Sequence, residues 1–412
     1  IRDFCLSRGL GDVYKRQDPT NKKIIDPEAL LLWFPKPHSF TGDDLAELHI
    51  HGSNAVISYL LKVLSDQKNC RLAEPGEFTK IAFQNNKIDL VKAESIGDLI
   101  HSETELQREQ AANLVQGHAS KYYENLREKL VKSLSYIEAK IDFAEDDLPG
   151  SVLKEVQKSI KQVHTDIKQI LEDQKVGEKI RDGFRISIIG DVNAGKSSLL
   201  NLLAKRDAAI VSEEEGTTRD VVETYLNIDG YPVILADTAG IRKAKNKVEK
   251  EGIKRAIKKA KEADLTLVMI DVSKKTINKD IKKLINKDCI LVFNKSDLSK
   301  KTPKNEFRKN DQILISVKNS KNIDRLIKTI KEKLSKKFMK ANNILVTRER
   351  HRAKLNAALK EIEKFLKKDQ KKEIETAAED LRLATRHLGS IVGKVDVEEI
   401  LGSIFQDFCI GK

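Results

Sequence analysis

Hydrophobic positions fall into three rhythms along the chain. In the first part, short apolar runs at 29–34, ended by Pro35 and Pro37, and at 45–50, closed by Gly52, predict strands. Residues 54–64 carry apolar side chains at helical spacing, and 94–114 predict a continued helical stretch. Further on, Leu126, Leu130, Leu134, Ile137 and Ile141 lie three or four residues apart, and Val156, Ile160, Val163, Ile167 and Ile170 repeat the rhythm. Each set is the apolar stripe of an amphipathic helix. Residues 142–149 separate the two, and the same texture returns at 348–408.

Between these helical stretches the pattern changes. Strands predicted at 185–190, 222–228, 231–237, 264–270, 289–294 and 312–316 alternate with helices, and Asp229-Gly230 joins the second strand to the third as a tight hairpin. This alternation predicts an α/β sheet with right-handed crossovers. The flanking helices are either two independent bundles or one helical domain interrupted by an inserted α/β domain; the second is preferred, since neither half makes a comfortable bundle alone.

The expected organisation is therefore a segment at 1–17, an N-terminal domain at 18–120, the first part of a helical domain at 121–182, the α/β domain at 183–340 and the second helical part at 341–412. Residues 1–17 have no initiator Met, no signal-peptide layout and no continuity with the pattern after residue 17, and are expected to be a non-native or artefactual segment.

Composition narrows the class. Of 412 residues, 40% are hydrophobic, enough for real cores. No apolar run approaches the roughly 18 residues a spanning helix needs. Lys+Arg 76 against Asp+Glu 63 leaves a net charge of +13, which favours polyanion partners such as RNA or phosphorylated ligands but fixes no fold. Cys5, Cys70, Cys289 and Cys409 form no CxxC pair. That argues against a disulfide framework or a zinc site and for a reducing, cytoplasmic compartment.

The α/β segment carries the sharpest chemistry. Gly190-Asp191-Val192-Asn193-Ala194-Gly195-Lys196-Ser197 fits G-x-x-x-x-G-K-S after an apolar strand and before a helix. Glycine lets the backbone curl until successive N–H groups face phosphate oxygens at a helix N-terminus. Lys196 is expected on the β- and γ-phosphates and Ser197 on magnesium, with Asn193, Ala194, Gly195 and Ser198 in the same cradle. Asn294-Lys295-Ser296-Asp297 ends a later strand, where loops reach a ligand in an open α/β sheet. A carboxylate there accepts from guanine N1–H and its exocyclic amine, a pattern adenine does not present. Ser316-Val317-Lys318 resembles the Ser-Ala-Lys guanine loop with Val for Ala. Together these resemble the translation-factor class of P-loop GTPases, so GTP is the expected nucleotide.

The hydrolytic parts are read from Asp237-Thr238-Ala239-Gly240, where Asp237 holds magnesium through water and the Gly240 N–H senses the γ-phosphate. Gly216-Thr217-Thr218-Arg219-Asp220 supplies a switch loop with Thr218 as second magnesium ligand. Ras-type enzymes place a water-orienting Gln after DxxG; here Ile241 stands there and cannot do that work. Asn193 offers an amide oxygen suited to a monovalent cation. Glu249 either orders the water or is one more surface acid in a Lys-rich helix.

Outside the α/β segment stand Phe40-Thr41-Gly42, Glu47-Leu48-His49-Ile50-His51-Gly52, Glu74-Pro75-Gly76-Glu77-Phe78-Thr79, Lys87-Ile88-Asp89-Leu90 and the terminal Phe408-Cys409-Ile410-Gly411-Lys412. With these the chain resembles the MnmE/TrmE family of tRNA-modification GTPases over about residues 24–412. The resemblance implies an α/β P-loop GTPase domain inserted into an α-helical domain, preceded by an α+β folate-binding domain through which two copies form a homodimer. It implies a one-carbon tetrahydrofolate (5,10-methylene or 5-formyl) near that interface, and an FAD-carrying GidA/MnmG-type partner in a heterotetramer. The joint reaction adds aminomethyl or carboxymethylaminomethyl groups at C5 of the wobble uridine of certain tRNAs.

Residue by residue, the resemblance implies a potassium site at Asn193 with Ser212, Glu214 and Thr217, in the loop Ser212-Glu213-Glu214-Glu215-Gly216. Potassium would stand where other GTPases use an arginine finger. It makes Glu249 the catalytic Glu, acting through water. Glu47 and Lys87 match folate-ligand positions, and Lys412 a contact near the C-terminus. Cys409 falls on the family's terminal cysteine, either a catalytic contributor or an inert thiol. The family normally opens with a Gly-rich segment carrying a further folate-contacting Arg, which has no counterpart before Ile24, so the chain is expected to be N-terminally incomplete.

Other features are read more plainly. His49 and His51 lack a third ligand nearby and are expected to be satisfied strand or pocket histidines. Glu145-Asp146-Asp147 is expected to be a helix-ending acidic loop, and the Lys-rich stretches 243–261 and 274–287 solvated helix faces. The competing function is a ribosome-assembly GTPase switch, which would carry a C-terminal RNA-binding module in place of these helices.

Overall fold

The computed structural model describes residues 12–142, 151–206, 223–236, 262–274, 279–299, 307, 310–338, 344–369, 372–395, 404 and 408. The chain divides into two compact units, Ile1–Gly97 with Gly389–Lys412, and Asp98–Leu388.

The first unit is built on a three-stranded antiparallel sheet in the order β1 (Asp12–Gln17), β2 (Ile24–Phe34), β3 (Leu45–His49). β1, within the segment expected from the sequence to be non-native, pairs with β2: Asp12 faces Leu31 and Gln17 faces Ile24. The backbone ladder supplies this pairing, so it leaves little apolar trace in the sequence. β2 begins well before the predicted run because Asp26, Pro27 and Glu28 interrupt the apolar pattern without ending the strand. Helix α1 (Asn54–Ser65) starts behind Ser53, whose Oγ accepts from the Val56 N–H at 3.2 Å. It buries Leu60 and Val63 against Ile25, with Leu48 and Ile50 packed on the same cluster.

Helix α2 (Glu77–Gln84), which the apolar spacing did not predict, opens behind Gly76 at φ 67°. Glu77 closes the turn before it by accepting from the Glu74 N–H at 2.8 Å and from both terminal nitrogens of Arg71. The predicted continuous helix at 94–114 is two helices, α3 (Leu90–Ile100) and α4 (Glu105–Val115). Thr104 stops the run: its Oγ1 caps the Gln107 N–H while the Gln107 side chain accepts from the Thr104 N–H, a reciprocal capping box.

In the second unit α5 (His118–Asp142) and α6 (Ser151–Leu171) pack together, and α6 packs on a helix from far along the chain, Glu349–Lys367. Of the predicted stripes, Leu126, Leu130 and Ile137, then Val156, Ile160, Val163 and Ile167, are buried, while Leu134, Ile141 and Ile170 are half-buried; Leu355, Ala358, Ile362 and Phe365 of that distant helix are buried too. After α6 the short α7 (Val176–Asp182) leads into a six-stranded sheet. Its strands are β4 (Phe184–Gly190), β5 (Glu223–Ile228), β6 (Tyr231–Ala236), β7 (Leu265–Asp271), β8 (Cys289–Asn294) and β9 (Asp311–Leu314). The order is β5-β6-β4-β7-β8-β9, parallel throughout except the β5–β6 hairpin. The helices are α8 (Lys196–Arg206), α9 (Lys279–Lys282) and α10 (Ile323–Phe338), followed by α11 (Glu349–Lys367) and α12 (Ile374–Val392).

Every residue of β8 is buried, as expected of a parallel strand covered on both faces. Ile290 and Val292 face one core with Ile186, Ile188, Leu267 and Met269, while Cys289, Leu291 and Phe293 face the other with Ile189 and Val268. Where the α/β segment meets the helices, Arg352 is buried and its guanidinium donates to Glu178 Oε1 at 2.5 Å, Asp173 Oδ1 at 2.7 Å and the Leu171 carbonyl at 3.1 Å. Asp98 Oδ1 accepts from Arg181 and from Arg348 at 2.9 and 2.7 Å. Gly177 sits so close to the Val346 carbonyl that any Cβ would collide with it.

Candidate nucleotide site

The sheet order places the site. The chain leaves β4 for β5 and β6 on one side and then continues to β7 on the other, so the strand order reverses at β4 and opens a crevice at its carboxyl end. The loop after β4 fills that crevice. A Cβ on Gly190 would collide with the Met269 carbonyl, and one on Gly195 (φ 99°) with the Asn294 amide. Asn193 takes the left-handed conformation at φ 64°, which Asn tolerates better than most residues. Asn193 is exposed, as are Ser197 and Ser198 on the first turn of α8. The Lys196 ammonium donates to the carbonyls of Gly190 and Asp191, both at 2.8 Å. Backbone curl, lysine and helix N-terminus are therefore brought together as the spacing predicted.

Asn294 is buried at 3% exposure, and both ends of its amide are in use. Its Nδ2 donates to the Ala194 carbonyl at 2.8 Å, and its Oδ1 accepts from the Val317 N–H at 3.1 Å. The residue thus joins the phosphate loop to the loop after β9. Asp297 is exposed, and its Oδ1 accepts from Ser316 Oγ at 2.6 Å. That hydroxyl, followed by its own backbone N–H, holds the Asp297 carboxyl below the usual range, so it stays an acceptor. Ser316 is fully buried and also accepts from the Asn319 N–H at 3.3 Å; Lys318 is exposed beside it.

Lys295 (φ 68°) reaches back to Asp271 Oδ2 at 2.6 Å. Burial opposes ionisation of Asp271, but Lys295 and the donors of Ser273 outweigh it and hold the carboxyl below its usual range. Asp271 was not among the predicted site residues. Its signal was present: an acid closing an apolar strand at the edge that carries the other loops.

Ser212, Glu213, Glu214, Glu215, Gly216, Thr217, Thr218, Asp237, Thr238, Ala239, Gly240, Glu249, Cys409 and Lys412 lie outside the described residues. Ala236, which directly precedes Asp237, pairs with Ser187 of β4.

In the first unit, Glu47 lies on β3 with its Oε2 3.4 Å from His49 Nε2. Lys87 follows α2, and its ammonium donates to the Pro37 carbonyl at 2.9 Å. Asn85 ties the same turn to the Thr41 carbonyl at 2.9 Å. The motifs around Gly42 and Lys87 are thereby one assembly, with the Lys87 stem packed against Gly42, whose φ is 84°. His51 Nδ1 lies 3.0 Å from Asp26 Oδ1. Among the described residues no group of three or more His, Cys, Asp or Glu is placed to hold a metal, and no helix is long and apolar enough to cross a membrane.

Comparison with known proteins extends this geometry. A family model described as "MnmE helical domain" matches residues 90–409, and one described as "GTP-binding protein TrmE N-terminus" matches 9–87. The tRNA modification GTPase MnmE of Pelagibacter ubique is 58% identical over 390 residues, covering 95% of this chain and 88% of that protein. The protein of the same name from Parvibaculum lavamentivorans is 44% identical over 399 residues, covering 96% and 89%. Among solved structures, a point variant of Aquifex aeolicus Era bound to GDP.AlF4- aligns with 43% of this chain and 66% of that one at 29% identity and a TM-score of 0.28, too loose a likeness to add to the case. On the two family matches and the near full-length identity, this chain belongs to the MnmE/TrmE family of tRNA modification GTPases.

Proposed function

We propose that the chain hydrolyses GTP to drive modification of C5 of the tRNA wobble uridine, using a one-carbon tetrahydrofolate and an FAD-carrying MnmG-type partner. The observation that carries this reading is the Asn294 bridge, which holds a glycine-curled phosphate loop against a guanine loop whose Asp297 is kept ionised. The MnmE helical match, running through the C-terminal helices, supports this reading over a ribosome-assembly switch. We read the α/β sheet as a domain inserted into a helical domain, since α6 before it packs on α11 after it.

The residues present fit the groups they would hold. Gly190 and Gly195 have no room for a Cβ, so the backbone can close around phosphates while Lys196 balances their charge. Ser197, with Thr218, would hold magnesium, and Asp237 would meet it through water. Asn193 with Ser212, Glu214 and Thr217 would hold potassium. These cations, when bound, offset charge developing on the phosphates. Glu249 orients the attacking water in place of the absent Gln, and Gly240 senses the γ-phosphate. In the N-terminal domain Glu47 and Lys87, with Lys412, hold the folate, and Cys409 contributes near it. Two copies dimerise through that domain and act in the cytoplasm.

Reconstitution tests this. The purified chain with an MnmG-type partner, tRNA, GTP, potassium and 5,10-methylenetetrahydrofolate should form modified wobble uridine. Omitting GTP or folate, or exchanging potassium for sodium, should each stop or strongly slow it. Modification that persists without GTP would reject the coupling.

A further inference from the structure

One pair in the N-terminal unit has the form of a proton-transfer device. Asp26 on β2 is almost wholly buried, its side chain 1% exposed, while the His51 side chain it holds is 66% exposed. The carboxylate accepts from the Glu28 N–H at 3.0 Å and the His51 N–H at 2.7 Å as well as lying 3.0 Å from His51 Nδ1. It therefore clamps both the backbone and the ring of one residue. These donors, the His51 N–H first, hold Asp26 below the usual carboxylate range, so it is ionised and can only accept. Nδ1 must then carry a ring proton and donate it to Asp26, which leaves Nε2 as the outward-facing nitrogen. An imidazole oriented in this way by a buried carboxylate is the arrangement used for general acid–base work.

The face on which it lies is set by packing. Leu48 and Ile50 point into the core under α1, as does Ile25 on β2. Side chains alternate along a strand, so Glu47 and His49 of β3 and Asp26 of β2 occupy the opposite face, and the contact with Asp26 brings the ring of His51, two residues past β3, to it. The Glu47–His49 contact agrees with this alternation.

We propose that the Asp26–His51 pair is the proton-transfer element of the folate face, with His51 touching the one-carbon tetrahydrofolate and Asp26 positioning it. This rests on the folate assignment of Glu47 and Lys87 above. When a C–N bond from the one-carbon unit to a folate amine breaks, the electron pair stays on that nitrogen, which takes the proton that solvent has placed on the exposed His51 Nε2. The carbon keeps its bond to the other nitrogen, whose lone pair forms the iminium C=N that leaves the carbon electrophilic toward uridine. His51 returns to the neutral tautomer that Asp26 fixes.

The test has a spectroscopic and a kinetic arm, both on the full chain. With 15N-labelled histidine, His51 should show protonated Nδ1 and unprotonated Nε2, and saturating 5-formyltetrahydrofolate should shift the Nε2 resonance. Asp26→Asn should abolish the tautomer preference. His51→Asn keeps a donor for Asp26 but loses Nε2; it should slow wobble-uridine modification by about 100-fold or more while weakening 5-formyltetrahydrofolate binding by no more than about tenfold. His51→Ala should regain part of its rate with added imidazole. An unmoved Nε2 resonance, an undiminished rate in a folded His51→Asn, or affinity lost in parallel with rate would overturn the proposal. Unchanged folate affinity in both Glu47→Ala and Lys87→Ala would instead reject the site on which it rests.

Discussion

The Asn294 Nδ2 donates to the Ala194 carbonyl at 2.8 Å, a bond between the end of β8 and the middle of the phosphate loop. The same side chain accepts from Val317, so one buried amide sets the distance between the phosphate and base subsites. Asn294→Ala would leave the Ala194 carbonyl and the Val317 N–H without their partner. Loss of two such bonds corresponds to about 1–3 kcal/mol, or roughly 5- to 150-fold in nucleotide affinity. Equilibrium titration with a fluorescent GDP should show it for GDP and GTP alike, and affinity within twofold of wild type would remove the bridging role.

Gly195 has no space for a methyl group and lies at φ 99°. Gly195→Ala should push Asn294 away and reshape the loop, abolishing detectable GTP binding in calorimetry while circular dichroism stays that of the wild type. Retained micromolar binding would show that the loop relaxes around the added carbon.

The Asp297 prediction concerns pH. Its folded carboxyl lies below the usual range, chiefly through Ser316 Oγ, so guanine binding should persist as pH falls through the ordinary carboxylate range and fail only below it. Ser316→Ala removes the donor and should move that loss of GDP affinity to higher pH. Superimposable affinity–pH curves for the two proteins would contradict the assignment.

Arg352 is buried against two carboxylates, Glu178 and Asp173. Arg352→Met strands both acids and should cost about 3–5 kcal/mol in urea unfolding, because a buried charge is left uncompensated. Adding Glu178→Leu should restore part of that loss. A double variant no more stable than the single one would mean the pair is not coupled.

Much of this was legible in the sequence because its causes are local. The stripes Leu126–Leu130–Ile137 and Val156–Ile160–Val163–Ile167 are buried as their spacing required, and β8 lies within its predicted bounds because an all-apolar run bounded by polar residues admits few other readings. The phosphate loop was legible because glycine spacing dictates the curl. Elements held by less regular means were missed. β1 rests on ladder pairing with β2, and α2 on the Arg71–Glu77 turn. The break between α3 and α4 was written in Thr104-x-x-Gln107 but outweighed by apolar spacing on both sides. Asp271 became a site residue only once β7 was placed beside β8, because its partner Lys295 is distant in sequence.

The most direct test of the account is made in cells. Bacteria lacking their own homologue, and supplied with this chain, are assayed for wobble-uridine nucleosides by mass spectrometry. The account predicts restored C5 modification with the wild-type chain and none with Asn294→Ala/Gly195→Ala. Unmodified wobble uridine, despite soluble protein, normal GTP turnover and a co-expressed MnmG-type partner, would contradict it.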